Sequence, residues 1–133
     1  MKHTTDTFSF ILKPSSVVEG GVGVFALHDI AKDTSINVFL PDFEEKVYEK
    51  DAVPEELQGY CLDREDGKIL CPKLFERMDI GNYLNHSAEN ANLWYEKGKG
   101  YFASRDIKKG EELLADYRQL GEPEETWADY YTT

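Results

Sequence analysis

Cysteine is scarce in this chain, and positive charge is in deficit. Only Cys61 and Cys71 occur among 133 residues. There is no Cys-x-x-Cys pair and the three histidines are scattered, so a structural zinc site is not expected. Cys61 and Cys71 flank residues 62–70, which read as a hairpin turning at Asp66-Gly67. Such a hairpin would let the two cysteines face each other, but in a reducing compartment both are expected as free thiols. No apolar run approaches the roughly 18 residues of a membrane span. The opening Met1-Lys2-His3-Thr4-Thr5-Asp6 has no apolar stretch of signal-peptide type. An intracellular protein with no membrane partner is expected.

Lysine and arginine number 15 against 26 aspartates and glutamates, a net charge of −11. Phosphate backbones need basic patches, so a direct nucleic-acid partner is not expected. A basic protein or peptide suits the charge better, because opposite fields steer encounter. The plainer reading is that the charge only maintains solubility.

What is present supports one packed core. Seven Phe, eight Tyr and two Trp are distributed along the chain, and the length suits a single domain. Residues 8–12, 22–27 and 36–40 read as strands, the last ended by Pro41. Residues 44–58 are charged and contain Pro54, which suggests a mobile surface segment with short helical pieces. Residues 92–96 and 100–104 flank Lys97-Gly98-Lys99-Gly100 as a second hairpin. Leu74, Phe75, Met78 and Leu84 are spaced for a short helix leading into Asn85. Residues 25–36 and 102–113 share Phe, Ala, Asp, Ile and Lys at identical offsets. Each copy reads as a strand, an Asp-Ile-x-Lys turn and a second strand, hence two similar β-corners. The class is mostly β, with many short strands.

Three short motifs remain. Gly21-Val22-Gly23 lets the backbone turn tightly and approach a ligand. It also reads as a plain glycine-rich turn, and it is no dinucleotide fingerprint, since the third glycine is missing and a strand follows. Asn85-His86-Ser87 is formally a glycosylation sequon, which is empty without secretion, or an Asx or Ser turn leaving a helix. Neither reading accounts for the preceding Gly81-Asn82-Tyr83-Leu84. Gly110-Glu111-Glu112-Leu113-Leu114-Ala115-Asp116-Tyr117 does not alternate cleanly, so it reads as a buried strand ending in a core tyrosine or as something more specific.

In this order, the three motifs resemble the SET domain, a family of protein lysine methyltransferases that use S-adenosylmethionine. The resemblance runs from about Phe8 to Tyr117. It implies a β-clip fold of several small sheets with short helices and a knot-like C-terminal threading. Residues 1–133 would form one SET domain, with a core at about 8–117 and a closing segment at 118–133. By the same resemblance, Tyr117 is the catalytic tyrosine. Gly21, Val22, Gly23, Asn85 and His86 would bind the cofactor, with Trp127 or Tyr130 of the tail packing against adenine or closing the lysine channel. Tyr60, Ala115, Tyr117 and Tyr130 would line the substrate-lysine channel, with Tyr48 a weaker candidate.

The sequence departs from the family in places. Ala88-Glu89-Asn90-Ala91-Asn92 replaces the usual Cys-x-Pro-Asn and is one residue longer. Ala115 stands where Phe or Tyr is common. The tail lacks a Cys-x-Cys zinc segment but offers Trp127, Tyr130 and Tyr131 at helical spacing, which reads as an amphipathic helix docked on the core. The implied activity is methyl transfer to lysines of a basic protein, histone-like or ribosomal. The alternative is an inactive SET-like module that holds S-adenosylmethionine or a basic peptide. The absence of zinc segments makes the chain similar to minimal viral and bacterial SET proteins. That similarity implies a monomer or homodimer in the cytoplasm, in the nucleus or on host chromatin.

Overall fold

The computed structural model describes residues 3–133. In chain order the strands are β1 (Phe10–Pro14), β2 (Val22–Ala26), β3 (Ser35–Ile36), β4 (Glu45–Tyr48), β5 (Leu62–Asp63), β6 (Ile69–Pro72), β7 (Asn85–His86), β8 (Leu93–Glu96), β9 (Gly100–Ala103) and β10 (Leu114–Ala115). They form four small sheets: β1-β2, β3-β9-β8, β4-β6-β5 and the parallel pair β7-β10. A one-turn helix, α1 (Glu55–Gln58), and several 3₁₀ turns join them. The mostly β expectation holds, and so do both hairpins, β5-β6 and β8-β9.

The internal repeat has a physical counterpart. Ile30 and Ile107 exchange backbone hydrogen bonds at 2.7 and 2.8 Å, and both are buried. The Lys32 N–H donates to Asp106 and the Lys109 N–H donates to Asp29, each at 2.8 Å. The Asp33 N–H meets the Ala103 carbonyl, and the Gly110 N–H meets the Ala26 carbonyl, again each at 2.8 Å. Asp33 and Gly110 occupy equivalent places with φ of 71° and 92°; an aspartate tolerates that left-handed turn better than most side chains. The two corners therefore clasp each other with approximate two-fold symmetry. Around them Val24, Ile36, Val38, Leu93, Leu113 and Ala115 close the main core.

Several local expectations need correction. Residues 36–40 are not a strand beyond Ile36; the chain leaves β3 and Gly81 N–H bonds to the Val38 carbonyl instead. Residues 44–58 include a true strand, β4, held by β6. Residues 74–84 form two 3₁₀ turns, Phe75–Arg77 and Ile80–Tyr83. Met78 is extended between them, and Asp79 with Asn82 makes a capping box that restarts the second turn. Cys61 and Cys71 are not free thiols but a disulfide. The cause is register: Leu62 faces Leu70, so Cys61 falls opposite Cys71 with the Cα atoms 4.4 Å apart. That is the spacing of a non-hydrogen-bonded antiparallel pair.

Candidate active site

β7 and β10 are far apart in sequence but lie side by side, with Leu114 opposite Asn85 and Ala115 opposite His86. This pairing delivers Tyr117 to the residues before and after Asn85. Its hydroxyl donates to the Leu84 carbonyl, and its N–H donates to His86 Nδ1 at 3.0 Å. Burial pushes the Tyr117 phenol well above its ordinary range, and the neighbouring Tyr130 adds to this. At neutral pH Tyr117 is therefore a hydroxyl and a donor, not a base. Ala115 is 1% exposed, and its small side chain packs in the main core beneath this pairing.

His86 sits among aromatic rings: Tyr117 at 5.0 Å, Tyr131 at 5.5 Å and Tyr130 at 5.8 Å between centroids. Burial holds its imidazole below the usual histidine range, partly opposed by the Asp116 carboxylate. A neutral ring that accepts at Nδ1 carries its proton on Nε2. That Nε2 is buried beneath the tail, near the Tyr130 and Tyr131 backbone, and makes no hydrogen bond of normal geometry among the described residues.

The tail closes over this ring. It is not the amphipathic helix expected from Trp127, Tyr130 and Tyr131; it makes two 3₁₀ turns, Glu124–Thr126 and Asp129–Thr132, with Trp127 and Ala128 extended between them. Ten residues of mixed propensity after Pro123 are too short to propagate an α-helix alone. The segment is pinned by Glu122 instead. Its buried carboxylate accepts from the Tyr131 hydroxyl and from the Asp63 N–H, each at 2.7 Å. The Trp127 indole N–H donates to the Glu122 carbonyl at 3.2 Å, and its ring packs on Tyr131.

On the other side of β7, Asn85 Nδ2 donates to the Val22 carbonyl at 2.9 Å, to Ser15 Oγ at 3.1 Å and to Glu112 at 3.0 Å. The structure thus brings Gly21–Gly23, Asn85, His86, Ala115, Tyr117 and Tyr130 into one neighbourhood. Tyr60 is set further out; its ring meets Tyr83 edge-on at 5.9 Å, one residue from Leu84. Tyr48 lies on β4, and its hydroxyl bonds to the Lys73 carbonyl. It packs with the second, smaller cluster around Cys61 and Cys71. Two cavities, of about 520 and about 240 Å³, are lined by none of these residues.

Comparison with known proteins identifies the family and the fold. The SET domain profile matches residues 21–118, most of the chain. The chain belongs to the SET domain family. Among solved structures, it is similar to a candidate histone methyltransferase of Plasmodium falciparum, with 22% identity, a TM-score of 0.55 and coverage of 83% of this chain and 93% of that one. It is also similar to the methyltransferase domain of human PR domain-containing protein 2, with 20% identity, a TM-score of 0.52 and coverage of 83% and 77%. At these identities the likeness is one of fold. No curated protein matches the sequence at a significant level.

Asn92 is 1% exposed, and its side chain stands in for a strand rung: Nδ2 donates to the Glu112 carbonyl and Oδ1 accepts from the Leu114 N–H, both at 2.8 Å. In the turn before it, the Asn90 N–H donates to Ser87 Oγ at 2.9 Å. Sequence reading gave Asn92, Glu112 and Glu122 no role, and Tyr131 only a place in a helix. Tyr131 stood in the aromatic spacing, but nothing near Glu112 or Glu122 in sequence reveals their partners.

The residues present fit the family's cofactor, S-adenosylmethionine. The loop at Gly21–Gly23 offers backbone with only the exposed Val22 side chain between its glycines. The Asn85 side chain holds this loop against β7 through the Val22 carbonyl.

Proposed function

We propose that this SET domain transfers methyl groups from S-adenosylmethionine to lysine side chains of a basic protein, histone-like or ribosomal. The observation that carries the reading is the double attachment of Tyr117, by its hydroxyl to Leu84 and by its N–H to His86. A tyrosine needed only for packing would not require both ends to be fixed on the segment Leu84–His86.

Gly21, Val22, Gly23, Asn85 and His86 would hold the cofactor, with Trp127 contributing from the tail. When bound, S-adenosylmethionine supplies an electrophilic methyl on a sulfonium. The protein must present a neutral amine, although free lysine has a pKa near 10.4 and its deprotonation at pH 7 costs about 4–5 kcal/mol. The tyrosines around His86 reduce that cost by stripping water from the incoming ammonium. Their ring faces still accept its approach as a cation. No strong base is required of the protein, and Tyr117, as a fixed hydroxyl, serves to orient the amine rather than to ionise it. Ala115 leaves the floor beside His86 small. The substrate would lie as an extended strand with its lysine inserted.

The alternative, a SET module that binds without turnover, draws on the small Ala115 and the altered loop at 88–92. Calorimetry with S-adenosylhomocysteine and mass spectrometry of mixed basic proteins with labelled cofactor separate the readings. The proposal expects binding at one site per chain and label on lysine. Binding without label selects the inactive module; no heat at millimolar ligand overturns methyl transfer and leaves of the alternative only a module that binds a basic peptide.

A further inference from the structure

Glu112 is the residue that the motif reading leaves without a task, and its surroundings are unusual. It is 6% exposed and carries a carboxylate. Four donors converge on it: Ser15 Oγ at 2.8 Å, the Ser16 N–H at 2.7 Å, Ser16 Oγ at 2.7 Å and Asn85 Nδ2 at 3.0 Å. Burial alone would raise its pKa, but the hydrogen bonds from Asn85, Ser16 and Ser15 outweigh that and hold it below the usual carboxylate range. Ser15 Oγ in turn accepts from the Val17 and Val18 N–H groups, both at 3.1 Å. The Ser15 N–H reaches the Gly21 carbonyl at 2.9 Å. The whole loop between β1 and β2 is thus closed on one buried anion.

Gly23 shows how tightly. A Cβ there would stand 2.2 Å from Glu112 Oε2 and 3.3 Å from Asn85 Nδ2. Any side chain at Gly23 would push the carboxylate off its donors. The second glycine of the motif is therefore required by Glu112, whatever else it touches.

We infer that Glu112 is a positioning residue for cofactor binding: as a carboxylate it clasps the Ser15–Gly21 loop and the Asn85 amide together, and so sets the Gly21–Gly23 backbone against β7. It touches neither reacting atom and acts through Ser15, Ser16 and Asn85. This inference rests on the cofactor reading given above.

The test is Glu112→Gln in the full chain, with Ser16→Ala as a milder variant at the exposed rim. Glutamine keeps the shape, retains one acceptor oxygen and sets an NH₂ against the Asn85 amide. S-adenosylhomocysteine affinity should fall about tenfold or more in Glu112→Gln, the size of one lost charge-assisted hydrogen bond. Ser16→Ala should give a smaller loss in the same direction. Methyl transfer at saturating cofactor should stay within about threefold of wild type, because Tyr117 keeps its own bonds. Backbone amides at 16–22 should exchange faster in both variants. Wild-type affinity in both, or a fall in kcat with KM for cofactor unchanged, overturns the inference. If wild type itself takes no ligand, the cofactor reading has failed, and the role in cofactor binding goes with it. Amide exchange still decides the clasp: unchanged protection at 16–22 refutes that as well. Should Glu112→Gln not fold, Ser16→Ala decides by the same two readouts.

Discussion

At Tyr117 the hydroxyl can be removed while the ring keeps its place against His86, Tyr130 and Tyr131. Tyr117→Phe should therefore abolish methyl transfer and leave S-adenosylhomocysteine affinity within about fivefold, a difference below 1 kcal/mol. A tyrosine serving only the core would lose about 1 kcal/mol of stability for its hydrogen bond, with turnover intact. Measuring kcat, ligand affinity and melting temperature on one preparation separates the two, and wild-type turnover in the variant would falsify the assigned role. The motif residues were legible because each carries its signal locally: Asn85 and His86 are adjacent, and Tyr117 ends a recognisable run. Glu112 was not legible, because it is defined by Ser15, 97 positions away. Asn92 was hidden behind a loop one residue too long, and only its bonds to the strand before Tyr117 reveal it.

Among the elements, the tail is where local pattern and packing part. Its aromatic spacing suited a helix, yet the bonds from Tyr131 and Asp63 to Glu122 draw it into 3₁₀ turns. The hairpins were legible because their turns lie within a few residues. The parallel β7-β10 pair was not, since no turn joins its strands. The tail also governs His86. A histidine held low in the folded state adds stability that is fully present above its unfolded pKa, near 6.5. That stability is lost as pH falls through the folded value. Wild type should therefore lose melting temperature as pH drops from 7.5 below 6.5. Tyr131→Ala removes a ring that is 8% exposed, at a cost of about 3–5 kcal/mol, as for other large aromatics. It also readmits water to His86, so the imidazole should titrate at higher pH in the variant. Its share of the acid-induced loss should shrink. NMR titration of the histidines checks this; an unmoved His86 would mean that Tyr131 does not supply its burial.

For the molecule as a whole, the negative charge is not spread evenly. Residues 42–73 and 122–133 carry 14 of the 26 acidic side chains and five of the 15 basic ones, hence nine of the eleven net negative charges. The bond from the Asp63 N–H to Glu122 joins these two segments in space. The composition alone gave the sign of the charge; only the fold could show that a sheet and a tail share it. Several of these acids are already in exposed pairs, such as Lys50 with Asp63 and Lys73 with Glu44. Such pairs contribute little to stability, so the excess acts mainly outward, as a field. A field of this kind raises the encounter rate with a basic substrate and is screened over about 10 Å at 0.1 M salt. Methylation of a lysine in a basic peptide should then lose kcat/KM about tenfold or more between 20 and 300 mM salt. Transfer to a neutral peptide around the same lysine should change little. Equal salt dependence for both peptides would remove electrostatic recruitment from the account. It would leave the charge as a solubility device, with the proposal for Tyr117 and its neighbours unaffected.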